Sequence, residues 1–146
     1  MLKYHKRHWV EGIWVLAGVE RSDKKRCFAV EIPNRTEETI RDLIAKFVLP
    51  GSIIYTDCFR SYKGACANLN FLHYTVNHSK FFVDPETSVH TNTVEGLNNG
   101  IKIAVPARNR NSKDIRGYLW YMIWRRQNKD NLWNGFLKAL KEIVFK

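Results

Sequence analysis

The stretch SIIYTDCFRSY, residues 52–62, places a short apolar and β-branched run directly before an aspartate. Such a run favours a buried strand, and a short helix is predicted after it, over residues 61–69. Open α/β sheets carry functional groups at the carboxyl ends of their strands, so Asp57 is a candidate site residue. An aspartate at a strand end is also a common turn or cap residue, and that alternative stays open.

The residues before this stretch predict a hairpin and a helix. Two apolar runs flank the turn RSDKK, residues 21–25, and favour a pair of strands. Farther on, apolar side chains keep helical spacing over residues 40–48, and Asn34 with Glu37 forms a capping-box-like start.

The residues after it predict one more strand and three helices. HYTVN, residues 73–77, favours a strand, whereas residues 78–90 have no period and predict a loop. Asn92 opens a helix that Pro106 ends, Ser112 caps the next helix, and an amphipathic helix lies near the end of the chain. This order of strands and helices predicts an α/β fold.

Length and composition fit one globular domain spanning residues 1–146. The sequence has no run of 18 or more apolar residues, and its first residues lack the apolar stretch of a secretory signal. We therefore expect a soluble intracellular protein with no membrane partner and no small-molecule substrate, in the nucleus of a eukaryote or the cytoplasm or nucleoid of a bacterium. Three cysteines without a CxxC pair argue against a disulfide framework and a thiolate zinc site.

The net charge of +10 is unevenly distributed along the chain. Residues 98–146 carry eleven Lys or Arg against three acids, and residues 1–10 carry three basic groups and no acid, whereas residues 11–97 are nearly neutral. Basic arms around a neutral body suit nucleic acid, because each neutralised phosphate releases condensed counterions. A generic basic surface is the alternative.

The stretch HTNTVEGLNNGIK, residues 90–102, places Glu95 in a run with no other acid. Glu95 could complete a capping box with Asn92. It could also converge with Asp57 to hold Mg²⁺ or Mn²⁺, and two such ions would clamp the attacking and leaving oxygens of a phosphodiester. Lys102 projects from the same helix face two turns later, where it could hold a phosphate or be an ordinary solvated lysine.

A predicted helix, GYLWYMIWRRQN at residues 117–128, carries a series of aromatic side chains. They could stack on bases, although an aromatic stripe at helical spacing more often belongs to a core. Arg125 and Arg126 at the exposed end of this helix are candidate phosphate contacts. Arg108 and Arg110 in the basic loop ARNRN are two more.

Four longer stretches share the pattern of a known family. They are WVLAGVER at residues 14–21, VLPGSIIYTDCFRSYKG at 48–64, HYTVNHSKFFVDPETSVHTNTVEG at 73–96 and GIKIAVPARNR at 100–110. Together they resemble Merlin-type DDE transposases and the ISXO-like transposases of bacterial insertion sequences. The resemblance covers about residues 3–126.

The resemblance implies an RNase H-like fold, a mixed sheet flanked by helices, and an enzyme that cleaves and transfers DNA strands. In such enzymes three acids bind two divalent ions, Mg²⁺ or Mn²⁺, and the partners are transposon ends and target DNA, held by a dimer or larger assembly. Asp57 matches the second acid of the family and Glu95 the third. Lys102 matches a basic residue that follows the third acid.

Two features depart from the family pattern. Asn98 stands where the family usually has a tryptophan. The first acid of the family lies on a strand before the segment KYHKRHWV, with which this sequence begins, so we expect the first strand and one metal ligand to be missing. A missing central strand would leave unpaired backbone on its neighbours.

Three hypotheses remain open from the sequence. In the first, this is a transposase domain whose first acid is supplied elsewhere, so that the isolated chain is inactive. In the second, it is a fragment or reused module that binds DNA without cutting it. In the third, it is a metal-independent basic domain in which both acids are structural.

Overall fold

A computed structural model describes residues 12–77, 83, 85 and 88–142. It contains four strands, five α-helices and one short 3₁₀-helix in these residues. In chain order they are β1 (Trp14–Val19), β2 (Cys27–Ile32), α1 (Glu37–Phe47), β3 (Ile53–Asp57), α2 (Arg60–Asn68), β4 (Leu72–Val76), α3 (Asn92–Ala104), the 3₁₀-helix (Ala107–Asn109), α4 (Ile115–Gln127) and α5 (Leu132–Glu142). The expected α/β class is confirmed.

The first two strands form the predicted hairpin. β1 pairs antiparallel with β2, with Trp14 opposite Ile32 and Val19 opposite Cys27. The turn RSDKK joins them, and Lys25 takes a left-handed conformation there, with φ of 46°. Arg26 Nε donates to Glu20 Oε2 at 2.8 Å across the base of the turn. Both side chains are exposed, so this ion pair adds little stability.

β3, α2 and β4 form a parallel unit. Ile53 pairs with Leu72 and Asp57 with Val76, so both strands end at the same edge.

The helix α1 packs on α2, and the start of α1 differs from the expected one. Thr36 is the N-cap, and its Oγ1 accepts a hydrogen bond from Thr39 N at 3.4 Å.

The expected capping role of Asn34 is therefore wrong by two positions. Asn34 Oδ1 instead accepts hydrogen bonds from the Thr36 backbone N–H and hydroxyl, at 3.1 and 2.7 Å. Asn34 thus fixes the orientation of the cap residue. The backbone at Thr36 is extended, with φ of −70° and ψ of 158°, which directs the Thr36 hydroxyl at the first turn of α1.

Two hydrophobic clusters hold these elements together. The larger one packs α3 and α4 on the β1–β2 hairpin; its buried members are Ala29, Leu97, Ile101, Val105, Ile115 and Leu119. The smaller one joins α1 and α2 over β3; its buried members are Ile40, Ile44, Ala65 and Cys66. Phe28 of β2 and Phe47 of α1 stack with their rings 4.7 Å apart, which connects the hairpin to α1.

The expected single mixed sheet is not what the described residues form. They form two separate two-stranded sheets, β1–β2 antiparallel and β3–β4 parallel. The RNase H-like arrangement therefore stays a prediction. The expected lack of a first strand concerns the start of the chain, and residues 1–11 lie outside the described part. The predicted loop over residues 78–90 also lies mostly outside it.

The helix α4 begins at Ile115, and its start corrects the expected cap at Ser112. Asn111 Oδ1 accepts hydrogen bonds from the backbone N–H groups of Lys113 and Asp114, each at 3.0 Å. Ser112 instead hydrogen-bonds Glu31 of β2 and, together with Arg116, lowers the pKa of that carboxyl. Asn111 therefore supports the turn that leads into α4, whereas the N-cap residue itself is Asp114.

None of the helices in the described ranges is long and apolar enough to cross a membrane.

A partly buried histidine on β4 is expected to make stability depend on pH. Thr56 Oγ1 and His73 Nε2 are 2.8 Å apart, and burial lowers the pKa of His73. The unfolded chain therefore binds a proton more readily, and the free energy of unfolding should fall as pH drops below about 6.5. Urea titrations of the wild type and His73→Gln from neutral to acidic pH measure this. An equally steep pH dependence in the variant would contradict the assignment to His73.

Candidate functional site

Asp57 lies at the carboxyl end of β3, as the sequence predicted. The β-branched run before it favours the strand, and the following residues turn into α2. Asp57 Oδ1 accepts a hydrogen bond from Phe59 N at 3.0 Å, which supports this turn. The carboxylate is nonetheless exposed. Asp57 therefore has the local turn role that the sequence left open, and its position at the strand end also leaves it accessible to a ligand.

Glu95 lies in the first turn of α3. The residue before this helix is Thr91, so the expected capping box with Asn92 is wrong by one position. Thr91 Oγ1 donates to Glu95 Oε1 at 2.7 Å, and Glu95 N donates to Thr91 O at 3.0 Å. Thr91 is buried while Glu95 is exposed, so a buried hydroxyl group holds the orientation of the exposed carboxylate.

Arg21, which follows β1, links the elements that carry the two acids. Its guanidinium lies 5.0 Å from the ring centroid of Tyr55, two residues before Asp57 in β3. Its Nη2 also donates to His90 Nε2 at 2.9 Å, five residues before Glu95. The single side chain of Arg21 therefore contacts both β3 and the segment that leads into α3.

Sequence reasoning missed this role of Arg21. In the sequence it is the first residue of a charged turn, RSDKK, and nothing local distinguishes it from the lysines that follow. Its partner His90 is 69 residues away along the chain. An arginine at a strand end followed by solvent-exposed turn residues is normally a solvated side chain, so only the tertiary structure identifies it.

Tyr62 of α2 reports the electrostatics near Asp57. Burial is the largest cause that raises the pKa of Tyr62, to about 12, and the negative charge of Asp57 adds to it. The positive charge of Arg35 acts in the opposite direction. The charges of Asp57 and Arg35 therefore both act on the Tyr62 phenol, in opposite directions.

The basic residues predicted to contact DNA have different surroundings. Lys102 and Arg108 are exposed, the first in the last turn of α3 and the second in the 3₁₀-helix. Arg110 donates from Nη2 to Lys102 O at 2.7 Å and from Nε to Val105 O at 3.1 Å. Arg110 therefore satisfies carbonyl groups at the end of α3, a role the sequence did not indicate.

The two arginines at the end of α4 also differ. Arg125 is exposed, lies over the Tyr121 ring at 5.6 Å and donates to the Tyr121 hydroxyl at 3.0 Å. Arg126 is half-buried, and its Nε is buried and has no hydrogen-bond partner within the described residues. Arg125 is therefore the more accessible phosphate contact of the two.

The aromatic series on α4 divides between core and surface. Leu119 is buried, and Tyr118, Met122 and Ile123 pack against the larger cluster. Trp120 is 74% exposed and Tyr121 54% exposed. The sequence could not separate these two faces, because aromatic residues occupy both.

No group of three or more His, Cys, Asp or Glu side chains within the described ranges is arranged to hold a metal ion. Asp57 and Glu95 are two exposed carboxylates, one at the end of β3 and one at the start of α3. Arg21 contacts residues near both of them, Tyr55 and His90. Each has a structural hydrogen bond and an accessible position.

Two comparisons with known proteins concern this chain. The sequence model of a family described as "ISXO2-like transposase domain" matches residues 3–127, which include Asp57, Glu95 and every basic residue discussed above. A protein of Haemophilus influenzae named "Uncharacterized transposase-like protein" is 34% identical over 76 residues. That alignment covers 52% of this chain and 57% of the relative, so the chain matches little more than half of the relative's length.

Proposed function

Because the chain belongs to the ISXO2-like transposase domain family, we propose that it acts in transposition as a DDE-type domain that cleaves and transfers DNA strands. The family match carries this proposal, since it spans both candidate acids and was anticipated by the resemblance of four separate stretches. An RNase H-like arrangement is part of the proposal. The helix pairs on the two small sheets are compatible with it.

Asp57 and Glu95 would hold the divalent ions in the proposed site. Both offer exposed carboxylate oxygens, the donor type that Mg²⁺ and Mn²⁺ prefer, and Mg²⁺ is commonly bound through one or two carboxylates with water completing its shell. The donor set therefore fits. When bound, such ions supply charge stabilisation at the phosphodiester being cut.

The chain's own residues would position the ligands and the DNA. Thr91 orients Glu95, the Phe59 N–H orients Asp57, and Arg21 holds the two elements together. Lys102 lies two turns along α3 from Glu95, on nearly the same face, and would hold a DNA phosphate beside the site. The exposed Arg108 and Arg125 would extend this contact along the strand.

Metal binding tests the assignment of the two acids. Asp57→Asn and Glu95→Gln are each expected to weaken Mn²⁺ binding at least about tenfold, because each removes a charged oxygen ligand. Isothermal titration calorimetry measures the affinity. Asp42→Asn is the control, since Asp42 is an exposed acid of α1 that pairs with Arg41 at 2.9 Å.

An unchanged Mn²⁺ affinity in Asp57→Asn would show that Asp57 is not a ligand. Equal losses in Asp57→Asn and Asp42→Asn would show that the ion binds the surface through general charge. Circular dichroism of each variant verifies that the fold is retained, which matters for Asp57 because its carboxylate also supports the turn before α2.

A further inference from the structure

A cavity of about 450 Å³ lies between the amino-terminal ends of α1 and α2. Its lining residues are Arg35, Thr36, Glu37, Phe59, Arg60 and Ser61. Phe59 also donates its backbone N–H to Asp57 Oδ1, so the cavity adjoins the carboxyl end of β3. The cavity is therefore a neighbour of Asp57, the proposed metal ligand, although neither of the two family acids, Asp57 and Glu95, lines it.

Arg35 is held in a fixed orientation on one wall. Its guanidinium carbon lies 3.7 Å from the ring centroid of Trp14 and 4.7 Å from that of Phe59. Ser61 Oγ donates to Arg35 O at 2.9 Å, which fixes the backbone as well. Stacking on two aromatic rings occupies the faces of the guanidinium and leaves its N–H edge to bind a planar or tetrahedral oxyanion.

The charge of the cavity is positive. Arg35 and Arg60 are both exposed, and neither forms an ion pair with any described residue. Glu37 is the one acid of the lining, and Asn68 Nδ2 of α2 donates to its Oε1 at 3.0 Å. Two cations therefore outnumber one carboxylate that already has a partner, and the starts of two helices add to the positive potential.

We propose that this cavity binds a backbone phosphate of the DNA strand through Arg35 and Arg60, beside Asp57. The inference rests on the proposed function, because DNA supplies the phosphate. It adds a contact that the basic carboxyl-terminal half of the chain does not contain. A phosphate held beside Asp57 would keep the strand in register with the carboxylate, a task that phosphate contacts perform without reading sequence.

The salt dependence of DNA binding tests this inference. The double variant Arg35→Gln/Arg60→Gln is expected to reduce the slope of log affinity against log salt by about 0.9, the value for one phosphate on a duplex. Fluorescence anisotropy with a short labelled DNA duplex gives the slope. Lys46→Gln is the matched control, because Lys46 also lies over an aromatic ring, that of Phe47, at the other end of α1.

The single variant Arg60→Gln keeps the stacked Arg35 in place and guards against a folding defect. It is expected to lower affinity severalfold at low salt with unchanged circular dichroism. A wild-type slope in the double variant, or an equal change in Lys46→Gln, would overturn the cavity assignment while leaving the proposed function standing. Absence of salt-dependent binding in the wild type would instead overturn both.

Discussion

DNA binding by this chain is expected to weaken about 10³-fold or more when the salt concentration rises from about 50 to about 200 mM, as for a protein with six or more phosphate contacts. The physical reason is that residues 98–146 carry eleven basic groups against three acids, and several of them, such as Lys102, Arg108 and Arg125, are exposed. Each phosphate they neutralise releases condensed counterions, which is less favourable in high salt. Fluorescence anisotropy over a salt series measures the effect.

Single charge removals locate the surface responsible for this binding. Lys102→Gln and Arg108→Gln should each reduce the salt slope by about 1. Lys24→Gln is the control, because Lys24 is an exposed cation in the β1–β2 turn, within the nearly neutral part of the chain. A flat salt response in the wild type would refute phosphate binding. A steep response that changes equally in all three variants would refute its localisation to α3 and the 3₁₀-helix.

Leu97→Ala is expected to lower the free energy of unfolding by about 2 to 5 kcal/mol. Leu97 is 1% exposed and lies in the cluster that packs α3 and α4 on the hairpin. Shortening it removes apolar contacts and leaves a cavity that helices packed on a sheet cannot fully close. Urea denaturation followed by circular dichroism measures the loss.

The matched control for Leu97 is Ile103→Ala, on the same helix. Ile103 is 85% exposed, so its truncation should change the free energy of unfolding by no more than about 0.5 kcal/mol. Similar losses in the two variants would mean that the packing of α3 on the hairpin is not as described. Because Leu97 lies two residues after Glu95 in the same helix, Leu97→Ala should also weaken the metal affinity of the site at temperatures near unfolding.

Local sequence patterns predicted most of the elements, because each pattern reflects a local cause. The apolar, β-branched run at residues 53–56 favours a strand whatever surrounds it, and the spacing over residues 40–48 gives a helix one apolar face. The caps were less predictable. Asn34, Asn92 and Ser112 each lie one or two positions from the observed N-cap residue, since several neighbouring polar side chains suit that position and the backbone path selects among them.

Residues of the site could be predicted only where the local sequence around one residue indicates its position in a strand or helix. Asp57 and Glu95 were named from their places at a strand end and a helix start, and the structure puts them there. Arg21 and Arg35 were not named, because their partners are aromatic rings and a histidine brought together by the tertiary fold. The double role of Arg110 at the end of α3 likewise depends on a turn whose geometry the sequence alone does not specify.

The two hydrophobic clusters differ in how much of the chain must exist before each can form. The cluster of α1 and α2 over β3 draws on one continuous segment that ends at Phe71, so it can form before α3 and α4 are synthesised. The hairpin precedes that segment, yet among the described residues its apolar face packs against Leu97 and Leu119 and their neighbours. During synthesis on the ribosome that face therefore stays uncovered until α3 and α4 have emerged, and the hairpin is exposed to aggregation for longer than the segment that follows it.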